Sequence, residues 1–117
     1  MTTKIFHNPK CSKSRATLAL LEESGADHEV VRYLETPPDE SELREILSLL
    51  QLSPRQLMRT GESIYKELNL DNPALDDDAL LAAMLANPIL IERPIVVSNG
   101  AARIGRPPES VLDILDT

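Results

Sequence analysis

Cysteine occurs once in this chain, tryptophan not at all, and aromatic residues fill only 3% of its 117 positions. A lone cysteine cannot close an internal disulfide, so the fold must rest on a buried core. The scarcity of aromatic rings removes the stacking platforms that bind single-stranded nucleic acids. Cationic excess is missing as well: 12 Lys and Arg stand against 19 Asp and Glu, a formal net charge of -7. That balance leaves no electrostatic footprint for DNA or RNA and no attraction to anionic lipid. No apolar run is long enough to span a bilayer, and the opening Met1-Thr2-Thr3-Lys4-Ile5-Phe6-His7 lacks the apolar stretch of a signal peptide. The expectation is a cytoplasmic protein, in a compartment where a single thiol stays reduced.

What is present is ordinary for a globular protein, with 42% hydrophobic and 26% charged residues. One domain over residues 1–117 is expected, long enough to bury a core built from Leu, Ile, Val and Ala. Lys4-Ile5-Phe6-His7 is β-prone and is stopped by Asn8-Pro9. Helical spacing begins after Cys11, carries Leu18 and Leu21 on one face, and stops at Ser24-Gly25. His28 to Leu34 reads as a second strand, which completes a right-handed βαβ unit with a parallel strand pair.

Thr36-Pro37-Pro38 then opens a helical insertion over about residues 39–88. Its first helix, 39–51, has Asp39 and Glu42 as a capping pair and Leu43, Ile46, Leu47 and Leu50 at helical spacing. Ser53-Pro54-Arg55-Gln56 is a second start signal, for a short helix reaching about Thr60-Gly61. Ile64, Tyr65 and Leu68 mark another brief helix, and Leu80, Leu81, Met84 and Leu85 a longer one that is capped near Asp76 and ended by Asn87-Pro88. Ile95-Val96-Val97 and Ala102-Arg103-Ile104 flank Ser98-Asn99-Gly100 as an antiparallel hairpin. A final helix from Pro107-Pro108-Glu109 is expected to bury Val111, Leu112, Ile114 and Leu115. The order predicts an α/β, thioredoxin-like fold: a mixed sheet of about four strands with the helical insertion between its βαβ and ββα halves.

Chemistry concentrates on His7-Asn8-Pro9-Lys10-Cys11-Ser12-Lys13-Ser14-Arg15. Cys11 falls where the unpaired N–H groups of a first helical turn converge, which favours negative charge. Lys10, Lys13, Arg15 and His7 are further groups expected to lower the thiol below its free pKa of about 8.5. The same N–H groups, with the Ser12 and Ser14 hydroxyls as donors, would cradle an oxyanion against the sulfur. The bland alternative makes Cys11 a buried small hydrophobe, but its Pro, Lys and Ser neighbours read as a loop. For His7 two readings stand side by side, stabilising the thiolate or capping the strand end.

Position 14 is Ser, so no second cysteine lies where a thioredoxin-type pair would need it, and an oxidised intermediate requires an external thiol. Pro94 begins the third strand, where thioredoxin-like proteins keep a cis proline beside the active cysteine; residue types leave its isomer open. Arg59, Arg93 and Arg106 are each, taken singly, ordinary surface charges. Arg93 and Arg106 flank the hairpin, however, and a guanidinium donates two parallel hydrogen bonds to a tetrahedral oxyanion without ever losing its proton. His7, Cys11 and His28 lack metal-ligand spacing, and Asp76-Asp77-Asp78 is explained by helix capping.

Those motifs, together with Asn87-Pro88-Ile89-Leu90-Ile91-Glu92-Arg93-Pro94-Ile95-Val96-Val97, closely resemble the glutaredoxin-coupled arsenate reductases, the ArsC family. Tyr33-Leu34-Glu35-Thr36-Pro37-Pro38, Leu57-Met58-Arg59 and Arg103-Ile104-Gly105-Arg106-Pro107 match it in order and spacing, so the resemblance runs from about residue 4 to 116. It implies that Cys11 is a nucleophile binding arsenate covalently, supported by His7, and that Arg59, Arg93 and Arg106 are oxyanion ligands. Glutathione is the implied co-substrate and glutaredoxin the implied resolving partner, with no metal or bound cofactor, and a monomer is expected. Ser12-Lys13 stands where dedicated arsenic-resistance enzymes carry Gly-Thr, and no C-terminal extension follows Thr117, features of a shorter, orphan branch. Two other readings remain open: a general glutathione-linked thiol oxidoreductase, and a non-enzymatic regulator like the Spx proteins that bind RNA polymerase.

Overall fold

A computed structural model describes residues 3–115 of the chain. The chain divides into two units, one comprising the residues up to Thr36 together with those from Arg93 onward, the other Pro37–Glu92.

The first unit is built on strands β1 (Thr3–His7), β2 (His28–Arg32), β3 (Ile95–Ser98) and β4 (Ala101–Ile104), in the order β2-β1-β3-β4. β1 pairs parallel with β2 and antiparallel with β3, which pairs antiparallel with β4. This is the mixed sheet of a thioredoxin-like α/β fold. Helix α1 (Ser12–Ser24) connects the parallel pair and ends at Gly25, whose φ of 75° lies in the left-handed region that glycine enters without a Cβ penalty. The β3–β4 turn places both Asn99 and Gly100 at positive φ, 55° and 73°, the geometry of the tight hairpin expected from Ser98-Asn99-Gly100. Ile5, Leu21, Val96, Val111, Ile114 and Leu115 pack as one core cluster, with Leu18 and Ala101 against it. The Arg93–Pro94 and Arg106–Pro107 peptide bonds are both cis.

Two elements of this unit differ from expectation. β2 stops at Arg32, two residues short of Leu34, because the Arg32 carbonyl accepts from both Glu35 and Thr36 N–H at 2.9 Å and turns the chain. Tyr33 is thereby buried as a turn residue and not as a strand residue. The last helix is a 3₁₀ segment over Pro108–Ile114. Its period of three aligns Pro108, Val111 and Ile114 on the buried face and leaves Leu112 outside, 44% exposed.

In the second unit, α2 (Glu40–Leu50) starts at Asp39, whose carboxylate accepts from Glu42 N–H at 2.8 Å, and buries Leu43, Ile46 and Leu47. Helix α3 (Pro54–Leu57) has a complete capping box: Gln56 Oε1 accepts from Ser53 N–H at 2.9 Å while Ser53 Oγ accepts from Gln56 N–H at 3.4 Å. Helices α4 (Ser63–Glu67) and α5 (Asp77–Ala86) follow, the latter capped by the Asp76 carboxylate and burying Leu80, Leu81 and Met84. A 3₁₀ turn, Pro88–Leu90, closes the unit. The helix expected to reach Thr60-Gly61 ends at Leu57 instead. Met58 turns extended and bridges Ile91, with Arg59 N–H donating to Leu90 O at 2.7 Å and Glu92 N–H to Leu57 O at 3.1 Å.

Candidate active site

β1 delivers the chain to a tight turn in which Asn8 does most of the holding. Its side-chain oxygen accepts from Lys10 N–H at 3.0 Å and its carbonyl from Cys11 N–H at 3.0 Å. Cys11 then sits at the N-cap of α1 in extended conformation (φ -96°, ψ 124°), and its carbonyl accepts the first helical bond, from Arg15 N–H at 3.0 Å. The residue keeps only 9% exposure, so the neighbouring Pro, Lys and Ser do not place it on an open loop. A cleft of about 300 Å³ lies beside the turn, lined by His7, Asn8, Pro9, Lys10, Arg32, Leu34 and Glu35.

Desolvation pushes the Cys11 thiol up, but the stabilising groups win and its pKa falls below the ordinary value. Those groups are the Ser14 and Lys13 backbone N–H dipoles together with the Arg93 guanidinium, which donates to the sulfur and adds its charge. The Cys11 side chain closes no capping hydrogen bond of its own. The dipoles of the first turn act on it through space. Arg106 completes the surroundings: Nη2 lies 3.5 Å from Sγ, and Nε donates to the Arg93 carbonyl at 2.8 Å, which ties the two arginine segments together.

The other expected residues fall into two groups. Ser14 is fully buried, and its hydroxyl is shared between Asn8 N–H at 3.0 Å and His7 Nδ1 at 2.7 Å. Burial, and then the charges of Arg32 and Arg15, lower the His7 pKa, which favours the neutral ring. Ser14 Oγ accepts from Asn8 N–H, the tautomer of His7 sets the direction of the bond between its Nδ1 and that oxygen, and it is the Ser14 backbone N–H that serves the sulfur. Ser12 is exposed at the start of α1. Arg15, expected to act on the thiol, donates to the Pro9 carbonyl at 3.0 Å instead. The guanidinium beside the sulfur belongs to Arg93, far away in sequence.

Arg59 belongs to the second unit. Its Nε donates to Glu62 Oε2 at 3.1 Å and its Nη1 to Glu92 Oε1 at 2.5 Å, and these carboxylates hold its pKa above the ordinary value against the opposing effect of burial. Neither glutamate is among the site residues expected from the sequence. Glu62 lies three residues from Arg59, a helix-like spacing that signals a pair, but only the Met58–Ile91 bridge reveals Glu92 as its second partner. Thr17 and Gly105 were missed in the same way. A Cβ on Gly105 would stand 2.7 Å from Pro94 Cγ and overlap Thr17 Oγ1.

A depressed thiol predicts a labelling curve. The rate of iodoacetamide alkylation of Cys11 should rise through a midpoint below the free value of about 8.5, because the thiolate forms at lower pH. Arg93→Ala removes a donor and a charge that favour the thiolate, so its midpoint should move up. A mutant curve superimposed on that of the parent would show that Arg93 does not act on the sulfur.

Comparison with known proteins follows the same outline. A family model described as the ArsC family matches residues 6–114. A protein of Neisseria meningitidis serogroup B named arsenate reductase is 59% identical over 113 residues, 96% of this chain and 97% of that protein. YfgD of Escherichia coli K12, whose description assigns no activity, is 60% identical over 113 residues, 96% of this chain and 95% of its own. The solved structure of an arsenate reductase from Vibrio cholerae superposes with a TM-score of 0.94 at 59% identity, covering 98% of each chain.

Proposed function

The chain belongs to the ArsC family, and from that premise we propose that it is an arsenate reductase in which the Cys11 thiolate is the nucleophile. The observation that carries this reading is the pairing of one sulfur of lowered pKa with two arginines, Arg93 beside it and Arg106 Nη2 at 3.5 Å. Such a site binds a tetrahedral anion and offers it a nucleophile in the same place. Relatives named arsenate reductase supply the substrate.

In the proposed reaction the thiolate attacks arsenic(V), an As–S bond forms, and one oxygen leaves as water after taking up protons. The arginines neutralise the anion as it approaches the sulfur. Glutathione thiolate then attacks the Cys11 sulfur. An S–S bond forms as the As–S bond breaks, and the electron pair of that bond stays on arsenic, which leaves as arsenite. Two thiols become one disulfide, which accounts for both electrons that take arsenic(V) to arsenic(III). Glutaredoxin attacks the glutathione sulfur of the mixed disulfide and returns Cys11 as thiolate. An external thiol suits this chain: Cys11 is its only cysteine, and position 14 is a buried serine engaged with His7 and Asn8.

The test is arsenite production by the purified protein with arsenate, glutathione and glutaredoxin. Formation of arsenite that requires both reductants is the expected result. If none forms, while mass spectrometry finds Cys11 glutathionylated and cleared by glutaredoxin with or without arsenate, the protein is a general thiol oxidoreductase and the proposal fails.

A further inference from the structure

Cys11 is the only cysteine of the chain, so a thiol that closes a disulfide on it must come from outside. Substitution at sulfur runs in line, with the attacking thiolate entering opposite the bond that breaks. The side of Cys11 that faces away from the bound anion is therefore where that thiol must lie. Sheet pairing defines the two sides. Arg32, at the end of β2, pairs with His7, at the end of β1. The antiparallel pairings bring the start of β3 and the end of β4 to the same end of the sheet, with Arg93 and Arg106 just beyond them. Since β1 runs between β2 and β3, the two arginines flank the Cys11 turn from the hairpin side and the cleft of about 300 Å³ flanks it from the β2 side. All of these residues belong to the first unit.

Lys10 and Arg32 give the cleft two cations, Glu35 one carboxylate, and Leu34, 40% exposed, an apolar wall. Residues 1–21 contain four Lys and Arg and no Asp or Glu, so this corner is cationic in a chain of net charge -7. Arg32 Nη1 stands 3.9 Å from Glu35 Oε2, the outer limit of an ion pair, and both side chains are more than half exposed, which leaves both charges open to a ligand. We propose that the cleft binds the thiol that resolves Cys11, and that this ligand is a small peptide thiol carrying two carboxylates and one ammonium. The carboxylates meet Lys10 and Arg32, and the ammonium meets Glu35. This rests on the reading of Cys11 as a nucleophile turned over by an external thiol. The bound thiolate enters from the β2 side and forms the S–S bond as the As–S bond on the arginine side breaks, leaving its electron pair on arsenic.

Glutathione has this set of charges, and S-methylglutathione, which cannot form a disulfide, is the probe, titrated into the isotope-labelled full chain by NMR at fixed pH and ionic strength. Amide shifts should centre on Lys10 and residues 32–35. Lys10→Gln and Arg32→Gln should each raise the probe's Kd about threefold, the scale of an exposed ion pair, and the double variant about tenfold. N-acetylation of the probe removes its ammonium and should weaken binding to the parent but not to Glu35→Gln, whereas simple attraction to the cations would strengthen it. Sulfate, held on the arginine side, should leave the probe's Kd within about twofold. Absence of binding, an unchanged Kd in the double variant, or displacement by sulfate overturns the inference. Arsenite production separates this failure from that of the proposed function. If arsenite forms with glutathione while the probe avoids the cleft, only the inference falls. If the probe fills the cleft and no arsenite forms, the arsenate reading falls and the cleft stands as the site of disulfide exchange with Cys11.

Discussion

Cys11→Ser should lower arsenite production at least about 10³-fold, to the level of the uncatalysed mixture, while leaving the circular dichroism spectrum unchanged. Serine matches cysteine in size, so the N-cap turn at Asn8 and the first helical bond to Arg15 N–H are retained. What is lost is chemical. A hydroxyl stays protonated where the thiol is ionised, and His7 already spends Nδ1 on Ser14. The deeper reason is redox: in the proposed cycle the sulfur supplies one of the two electrons by entering a disulfide, and oxygen cannot take that part. Retention of even a few per cent of turnover by Cys11→Ser would show that another group is the nucleophile.

The second large effect is expected at Gly105, far in sequence from the cysteine. Gly105→Ala should lower Tm by about 10 °C, in keeping with an overpacking cost at the upper end of roughly 1–3 kcal/mol for a domain of this size. The backbone of Gly105 is outside the left-handed region, so the constraint is space and not conformational freedom. A Cβ would meet Pro94 Cγ at 2.7 Å and collide with Thr17 Oγ1, and neither neighbour yields readily. Thr17 is fully buried with its hydroxyl donating to Lys13 O at 2.8 Å, and the Pro94 carbonyl accepts from Gly105 N–H at 2.9 Å. Relief should come from Thr17→Ala in the same chain, whose Tm loss should be smaller than the sum of the two single losses. Since Arg106 is the next residue, the displaced backbone should also carry its guanidinium from the sulfur, which a raised midpoint of Cys11 alkylation would record. A Tm within about 2 °C of the parent would mean that the contact among α1, Pro94 and Gly105 relaxes without cost.

Local signals in the chain are legible wherever neighbours in sequence decide the outcome. Asp39, Ser53 and Asp76 announce helix starts because each needs only an N–H two or three residues ahead. Gly25 and the Asn99-Gly100 turn were legible for the same reason, since positive φ is a property of single residues. A distant segment overrides the local preference at Leu57, whereas the end of β2 at Arg32 and the contact of Arg15 with Pro9 are settled within a few residues. Leu57 ends α3 because Ile91 waits to bridge Met58, and Leu112 faces outward because the closing segment winds with a period of three onto the sheet. Arg15 looked like the cation for the thiol by proximity in sequence, yet its guanidinium reaches the Pro9 carbonyl.

By itself, then, the order of residues determined the α/β class, one parallel and one antiparallel strand pair, and the placement of a single cysteine at the start of a helix. These follow from periodicity, capping and turn chemistry, which act over a few residues. Only the tertiary structure decided what surrounds that cysteine: that Arg93 and Arg106 bring their charges to its sulfur, that the Ser14 hydroxyl turns to His7 and leaves its backbone N–H for the thiolate, and that Arg59 is held by Glu62 and Glu92. Electrostatic effects depend on distance in space, and the distances were set by pairing β1 with β3 and Met58 with Ile91, contacts that no local pattern encodes.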